Sequence, residues 1–486
     1  MSKHFRPWKI DQTQLLPPSV QDFVDADHLA RFIVALVREQ LDLDQINASY
    51  SSPHGQPPFD PRLMVALLLY AYCSGIYSSR RIAKACRERV DFMSIVALDP
   101  PDFRTISDFR KRHLKPLAAL FLQVLRLCEQ AGLVKLGHVA LDGTKIKANA
   151  SKHKAMSYER MEKRAAELEA EVAKWLAAAE AADTAEDAKH GTNKSGDEMP
   201  KWVADKKRRA EKIRQAKAEL EAEAKAAAEE KRKAEAEAEE QRRKENRKKP
   251  GKPAAPISDD PDPKAQKNFT DPESRIMKSK DGFVQAYNAQ AAVDGTAQVI
   301  VAHDLDARPN DKHQLIPMAD AVMLNTGAKP DQLSADSGFC SEANLEGLEA
   351  RGIDGYIATG RAKHAVGDAA ESATPVATAD AAAVPATSSE QSTQESAEPP
   401  TRVEAMREKI RAGGHESPYR MRKQLPEPVF GQIKEGRGFR QFLLRGVEKV
   451  RGEWALVCTA HNLLKLAKGR TLSAARRIAD GTPVAA

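Results

Sequence analysis

Residues 155–250 are built largely from Ala, Glu, Lys and Arg, and strand-textured sequence stands on both sides of them. A compact body that uses both flanks must therefore be assembled from discontinuous chain, with this insertion leaving and re-entering at neighbouring points. Met161, Ala165, Leu168, Val172 and Trp175 step by alternating fours and threes, the seam of a coiled coil. Asp, Gly, Asn, Ser and Pro break the pattern over 182–200, and Ile213, Ala216, Leu220 and Ala224 resume it. The spacing predicts two long helices folded back on each other. A seam satisfied within one chain does not require a partner, so an intramolecular hairpin is favoured over a dimerisation arm or a DNA clamp. Residues 201–250 hold 18 Lys/Arg against 12 Asp/Glu. Alternating charge on a long helix is usually a solvated face, but the stretch 241–249 is basic enough to touch phosphates.

Ahead of the insertion, 1–135 reads as an all-α domain. Leu29, Phe32, Ile33 and Leu36 recur at helical spacing, and Pro61 suits a first helical position. The apolar helix that follows Pro61 ends at Ser74-Gly75, and a second helix begins at Ser79 with Arg80 and Arg81. Helix, glycine turn, basic helix is the outline of a helix-turn-helix. The plainer reading is a helical pair with a solvated basic face. A further cluster, Arg104, Arg110, Lys111, Arg112 and His113, favours DNA contact.

Residues 136–154 open with a short apolar β-rich run, 137–143, that ends in Asp142-Gly143. Beyond the insertion, 251–267 is a Pro/Asp/Lys linker, and strand texture returns in 268–365. Strands over 283–293 and 297–303 flank Asp294-Gly295, a strong hairpin signal. A helix is expected over 311–325 with Asp311 as its cap, then a strand ending in Asp336-Ser337-Gly338, a helix over 341–350 and a strand over 355–358. Residues 366–400 carry six acids and no Lys or Arg, and are expected to be a disordered linker. Residues 401–470 read as helical and basic with one strand-like run at 454–458, and 471–486 as a disordered tail.

Composition excludes more than it selects. Five scattered cysteines with no C-x-x-C pair argue against a disulfide framework or a zinc ribbon and fit a reducing cytoplasm. No run approaches the roughly 20 apolar residues that span a bilayer, and the N-terminus lacks the apolar core of an export signal. The net charge of +7 is weak evidence for nucleic acid when taken alone.

The chemistry is expected at carboxylates. In an open α/β sheet, functional groups gather at strand ends, and Asp142 and Asp336 each end a predicted strand. Two carboxylates at neighbouring strand ends repel unless a cation lies between them, and Mg²⁺ prefers carboxylates, waters and phosphate oxygens. Either Asp alone is equally consistent with an ordinary turn. Glu427 precedes a predicted helix carrying Phe430 and Ile433 on its apolar face. The helix dipole would stabilise its charge, a simple cap being the plainer reading. Lys434 lies two turns on.

The blocks ALDGTKIKAN at 140–149, NFTDPESRIM at 268–277, QAYNAQAAVD at 285–294, ADSGF at 335–339 and EPVFGQIK at 427–434 resemble those of bacterial insertion-sequence transposases of the DDE class. The subgroup is the one with a helical N-terminal block like 61–113. The resemblance covers nearly the whole chain apart from 366–400 and the tail. It implies an α/β, ribonuclease-H-like mixed-sheet core interrupted by the helical insertion, with Asp142, Asp336 and Glu427 as catalytic and metal-binding residues. The family's Tyr, Arg, Glu, Lys signature is matched in the spacing of Glu427 to Lys434. Tyr419 and Arg422 are spaced correctly to each other but lie one residue too far upstream, so either Lys423 replaces the arginine or the turn holds an extra residue. Glu435 is the rival carboxylate.

What the resemblance implies functionally is two-metal, in-line transfer at DNA phosphodiesters, using Mg²⁺ with Mn²⁺ as a substitute. The element's terminal repeats are cut and the 3′-OH is joined to target DNA. Arg422, Lys423, Lys434, Arg437 and Arg440 would hold the DNA end, and the N-terminal basic residues would read the repeat. A homodimer or larger assembly on DNA in the bacterial cytoplasm, without membrane association, follows from having two ends to hold. The rivals are a decayed transposase that only binds DNA, a metal-dependent nuclease that cuts without joining, and a structural coiled-coil protein.

Overall fold

The computed structural model describes residues 19–50, 57–151, 154–190, 201–244, 257–279, 282–360 and 401–479. The segment 366–400 and the last residues of the tail, 480–486, lie outside the described residues. No described helix is long and apolar enough to cross a membrane.

Among the described residues eight strands form: β1 (His138–Lys147), β2 (Ala155–Ser157), β3 (Gln266–Asn268), β4 (Arg275–Ser279), β5 (Gly282–Asp294), β6 (Ile300–Asp306), β7 (Gln332–Ala335) and β8 (Asp354–Ile357). The main sheet runs β6-β5-β1-β7-β8, with β4 pairing the first part of β5. The hairpin β5/β6 and the pair β1/β5 are antiparallel, while β1/β7 and β7/β8 are parallel. Asp294 makes the hairpin turn as expected. Fully buried, its carboxylate accepts the Thr296 N–H and also the N–H groups of Lys135 and Leu136, which fixes the approach to β1.

Three sequence expectations give way. Asp142-Gly143 is not a strand end: β1 continues to Lys147 because its antiparallel ladder with β5 persists to Lys147↔Ala286. The parallel ladder with β7 does stop, at Leu141↔Ala335, one residue before Asp142. The run 454–458 is not a strand but part of the helix Val447–Ala479. Its residues are buried on every side, and a short apolar run cannot reveal its period. That same helix carries 471–479, so the expected disorder there is replaced by helix.

Every element between Val20 and Gln130 is helical. Pro61–Cys73 is capped by Asp60, whose side chain accepts the Arg62 N–H, and it is buried from Met64 to Cys73. Helices this apolar all round belong inside a core. It packs on Val447–Ala479, as does Leu114–Gln130, so the N-terminal helices and the sheet share one continuous apolar core. At its centre Trp454 is fully buried, stacks on Phe430 and donates its indole N–H to the Gln290 carbonyl at 3.0 Å.

His461, on the same helix, is 2 % exposed, and its Nε2 donates to the Gln298 carbonyl at 2.9 Å. Burial pushes its pKa down to about 3 from 6.5. The folded form thus refuses a proton that the unfolded chain accepts below pH 6.5. Stability is complete above pH 6.5 and is lost as the pH falls toward 3. His461→Gln should lose about 2–3 kcal/mol less stability than the parent between pH 7 and 4, measured by denaturant unfolding at both pH values.

The insertion is an intramolecular hairpin of Tyr158–His190 and Lys201–Lys244. Met161, Ala165 and Leu168 pack on Ala210, Ile213, Ala216 and Leu220. Its base is pinned to the strands: the buried Lys267 ammonium bridges Glu219 at 2.5 Å and Glu223 at 3.2 Å, and Arg275 reaches Glu223 at 2.8 Å.

Candidate active site

Leu141 and Ala335 are the last partners of the parallel ladder, so Asp142 and Asp336 are the next residues on two adjacent strands. Asp336 leaves β7 into the turn Ser337–Phe339, and its Oδ1 accepts the Gly338 N–H at 2.7 Å. Asp142 Oδ1 accepts the Gly143 N–H at 2.8 Å. In both carboxylates the second oxygen makes no hydrogen bond among the described residues. Asp142 is pushed up to about 7: burial is the main cause, and the charges of Asp336 and Asp311 add to it. The Gly143 N–H and the Arg422 charge work the other way. A carboxyl held this high is one whose anion lacks a counter-charge.

Asp311 is the residue the sequence placed wrongly. The helix is Leu315–Thr326 with Gln314 at its cap position, and Asp311 caps nothing. Its Oδ1 accepts from Asn288 Nδ2 at 2.5 Å and Gln290 Nε2 at 2.7 Å, both from β5. A signal existed: Asn288 and Gln290 alternate among small apolar residues in the buried part of β5.

Glu427 lies exposed in the first turn of Pro426–Gly431, and no contact to Asp142 or Asp336 is formed. Among the described residues no three His, Cys, Asp or Glu side chains are grouped so as to hold a metal ion. The neighbours of Glu427 do reach the site. Lys434 Nζ donates to Thr144 Oγ1 at 2.5 Å and to the Lys145 carbonyl at 3.0 Å, just past Asp142 on β1. The Arg422 guanidinium lies 5.0 Å from the Tyr419 ring centroid, and its charge is felt at Asp142. Lys423 is exposed. Leu425 separates Met421–Gln424 from Pro426–Gly431. Glu435 is paired with Arg440.

The basic candidates divide. Arg80, Arg81, Arg104, Lys111 and Arg112 are exposed. Arg80 and Arg104 flank the Phe103 ring at 5.2 and 5.6 Å, and with Ser78, Ser79 and Lys111 they line a surface cleft. Arg110 and Arg437 differ from these in burial. Arg110 is 5 % exposed, donates to the Tyr72 hydroxyl and the Tyr77 carbonyl, with the buried Glu453 as its counter-charge, and also lines that cleft. Arg437 is 7 % exposed, donates to the Val457 carbonyl, and burial lowers its pKa. Basic clustering in sequence does not show such burial.

Two family models match the chain. One, a transposase domain (DUF772), matches residues 18–112, and the other, a transposase DDE domain, matches residues 387–467, which include Glu427 but neither Asp142 nor Asp336. No curated protein and no solved structure matches. The two transposase domains, in order along one sequence, support a DDE-type insertion-sequence transposase.

Proposed function

We infer that this transposase cuts phosphodiesters at the ends of its element and joins the freed 3′-OH to target DNA, with Asp142, Asp336 and Glu427 as its acidic residues. The observation that carries this reading is the placement of Asp142 and Asp336 side by side, just beyond the end of the β1/β7 ladder. The sheet order β6-β5-β1-β7-β8, antiparallel on one side of β1 and parallel on the other, supports a ribonuclease-H-like core. The donor chemistry suits Mg²⁺ or Mn²⁺: hard carboxylate oxygens, one on each Asp left unbonded, and an Asp142 anion short of counter-charge. Asp142, Asp336 and Glu427 would hold the ions. Divalent cations in such a site supply activation of the attacking hydroxyl and charge neutralisation at the leaving 3′-oxygen.

The remaining work falls to the chain itself. Lys434, fixed on Thr144 and the Lys145 carbonyl, holds a positive charge beside Asp142 where a scissile phosphate must approach. Arg422 adds a second. The cleft lined by Arg80, Arg104 and Lys111 would take duplex DNA, phosphates positioning it and base contacts reading the repeat. Two element ends must be held together, so the active species is a dimer or larger assembly on DNA.

The test is incubation of the full chain with Mg²⁺ and a labelled fragment carrying the element's end, together with a target plasmid. Cut ends that reappear covalently joined to the plasmid are the expected result. Cutting without joining would make the chain a nuclease. DNA binding without cutting, in Mg²⁺ and in Mn²⁺, would make it a decayed transposase.

A further inference from the structure

Asp311 lies where two glycines leave room for it. A Cβ on Gly143 would fall 2.9 Å from Asp311 Oδ1, and one on Gly338 would fall 3.3 Å from Asp311 Oδ2 and 3.0 Å from Asp336 Oδ1. The Asp311 carboxylate therefore sits between Gly143 within β1 and the Gly338 turn after β7, facing Asp336. The pleat sends the Asp142 side chain to the opposite face from Gly143. Beyond Leu141↔Ala335, however, no strand covers β1 on the β7 side, and the Asp311 charge is felt at Asp142.

A carboxylate facing Asp336, whose charge also reaches Asp142, is unfavourable unless something offsets it. The fold aims it there with two amides, those of Asn288 and Gln290, both on Oδ1. Its Oδ2 makes no hydrogen bond among the described residues. Asp142, Asp336 and Asp311 thus share one pattern: Oδ1 is tied to an N–H donor and Oδ2 is left over.

A second observation points to a ligand. Gln290 is fully buried, and its Oε1 has no partner. Its Nε2 donates to Asp311 Oδ1 at 2.7 Å, which settles which end of the amide is oxygen. That oxygen falls 2.9 Å from the point a Gly143 Cβ would occupy, beside Asp311. A buried acceptor left unsatisfied next to an acidic cluster calls for a cation or for the water that hydrates one.

We propose that Asp311 is a fourth carboxylate of the divalent-cation site, binding through Oδ2, with Asn288 and Gln290 as the residues that position it. The proposal rests on the reading of Asp142 and Asp336 as cation ligands. Asp311→Asn keeps a carbonyl oxygen for the two amides and removes the charge, so it isolates the binding role. Asn288→Ala keeps the charge and removes one of the amides that aim it.

The test uses the full chain with Mn²⁺ alone. Free Mn²⁺ is followed by electron paramagnetic resonance, and thermal unfolding is recorded with and without the ion. Asp142→Asn and Asp336→Asn serve as references. Asp311→Asn should bind Mn²⁺ at least about tenfold more weakly, and its midpoint without Mn²⁺ should equal or exceed the parent's, because a repulsive charge is gone. Asn288→Ala should weaken binding in the same direction. Parental affinity in Asp311→Asn, with affinity lost in the two references, would overturn the proposal alone. A lowered or absent transition in Asp311→Asn without Mn²⁺, with parental affinity in Asn288→Ala, would make Asp311 a structural residue and overturn it too. Parental affinity in both references would instead overturn the underlying reading.

Discussion

Glu427→Gln should lose about 10³-fold or more of the DNA-cleavage rate, while Glu435→Gln stays within about threefold of the parent. The two carboxylates are close in sequence and lie on one helical segment, but their surroundings differ. Glu435 already has a partner, Arg440, at the surface, and exposed pairs of that kind contribute little. Glu427 has none of that compensation. It sits in the first turn of Pro426–Gly431, where the dipole favours an anion. Seven residues on, Lys434 is anchored to Thr144, and five residues back Arg422 acts on Asp142. The segment that carries Glu427 is thus laid against β1, the strand of Asp142. Measuring DNA affinity beside the rate separates chemistry from binding: Glu427→Gln should bind as the parent does.

The second large effect is on the fold. Trp454→Ala should destabilise the chain by about 3–5 kcal/mol, the range for emptying a buried indole site. The side chain is fully buried, stacks on Phe430 one turn after Glu427's, and bonds to the Gln290 carbonyl. Its loss removes the packing that seats the Glu427 segment and leaves a buried acceptor on β5 unsatisfied. Chemical denaturation should show the lowered midpoint, and Mn²⁺ affinity should fall with it because Gln290 helps to aim Asp311. A decrease under 1 kcal/mol would mean that the helix Val447–Ala479 is held elsewhere.

How much of this was legible in sequence depended on how local the signal was. The insertion was readable because a seam at 3.5-residue spacing repeats many times, and the structure forms its hairpin with Met161, Ala165, Leu168, Ile213, Ala216 and Leu220 inside. Asp294-Gly295 was readable because hairpin turns demand particular residues. Asp142 and Asp336 were readable as carboxylates beside apolar strands, although Asp142 proved to lie mid-strand, since sequence shows where a strand could end and not which of its two ladders stops. The run 454–458 failed because total burial erases periodicity. The burial of Arg110 and Arg437 was not legible, because a basic residue looks the same whether it meets solvent or a buried Glu453 or carbonyl. Asp311 failed most instructively. As an Asp ahead of an apolar helix it matched a cap, and only the pairing of β5 with β1 shows that two amides draw it into the site instead.

If Asp142 and Asp336 carry metal-dependent phosphodiester chemistry on DNA, cleavage of a labelled element end in Mg²⁺ depends on both. The parent, Asp142→Asn and Asp336→Asn are to be compared, with DNA affinity measured on the same preparations. The parent should cut, each variant should lose about 10³-fold or more of the rate, and affinity for DNA should be unchanged. Cutting at parental rates by either variant would overturn this assignment.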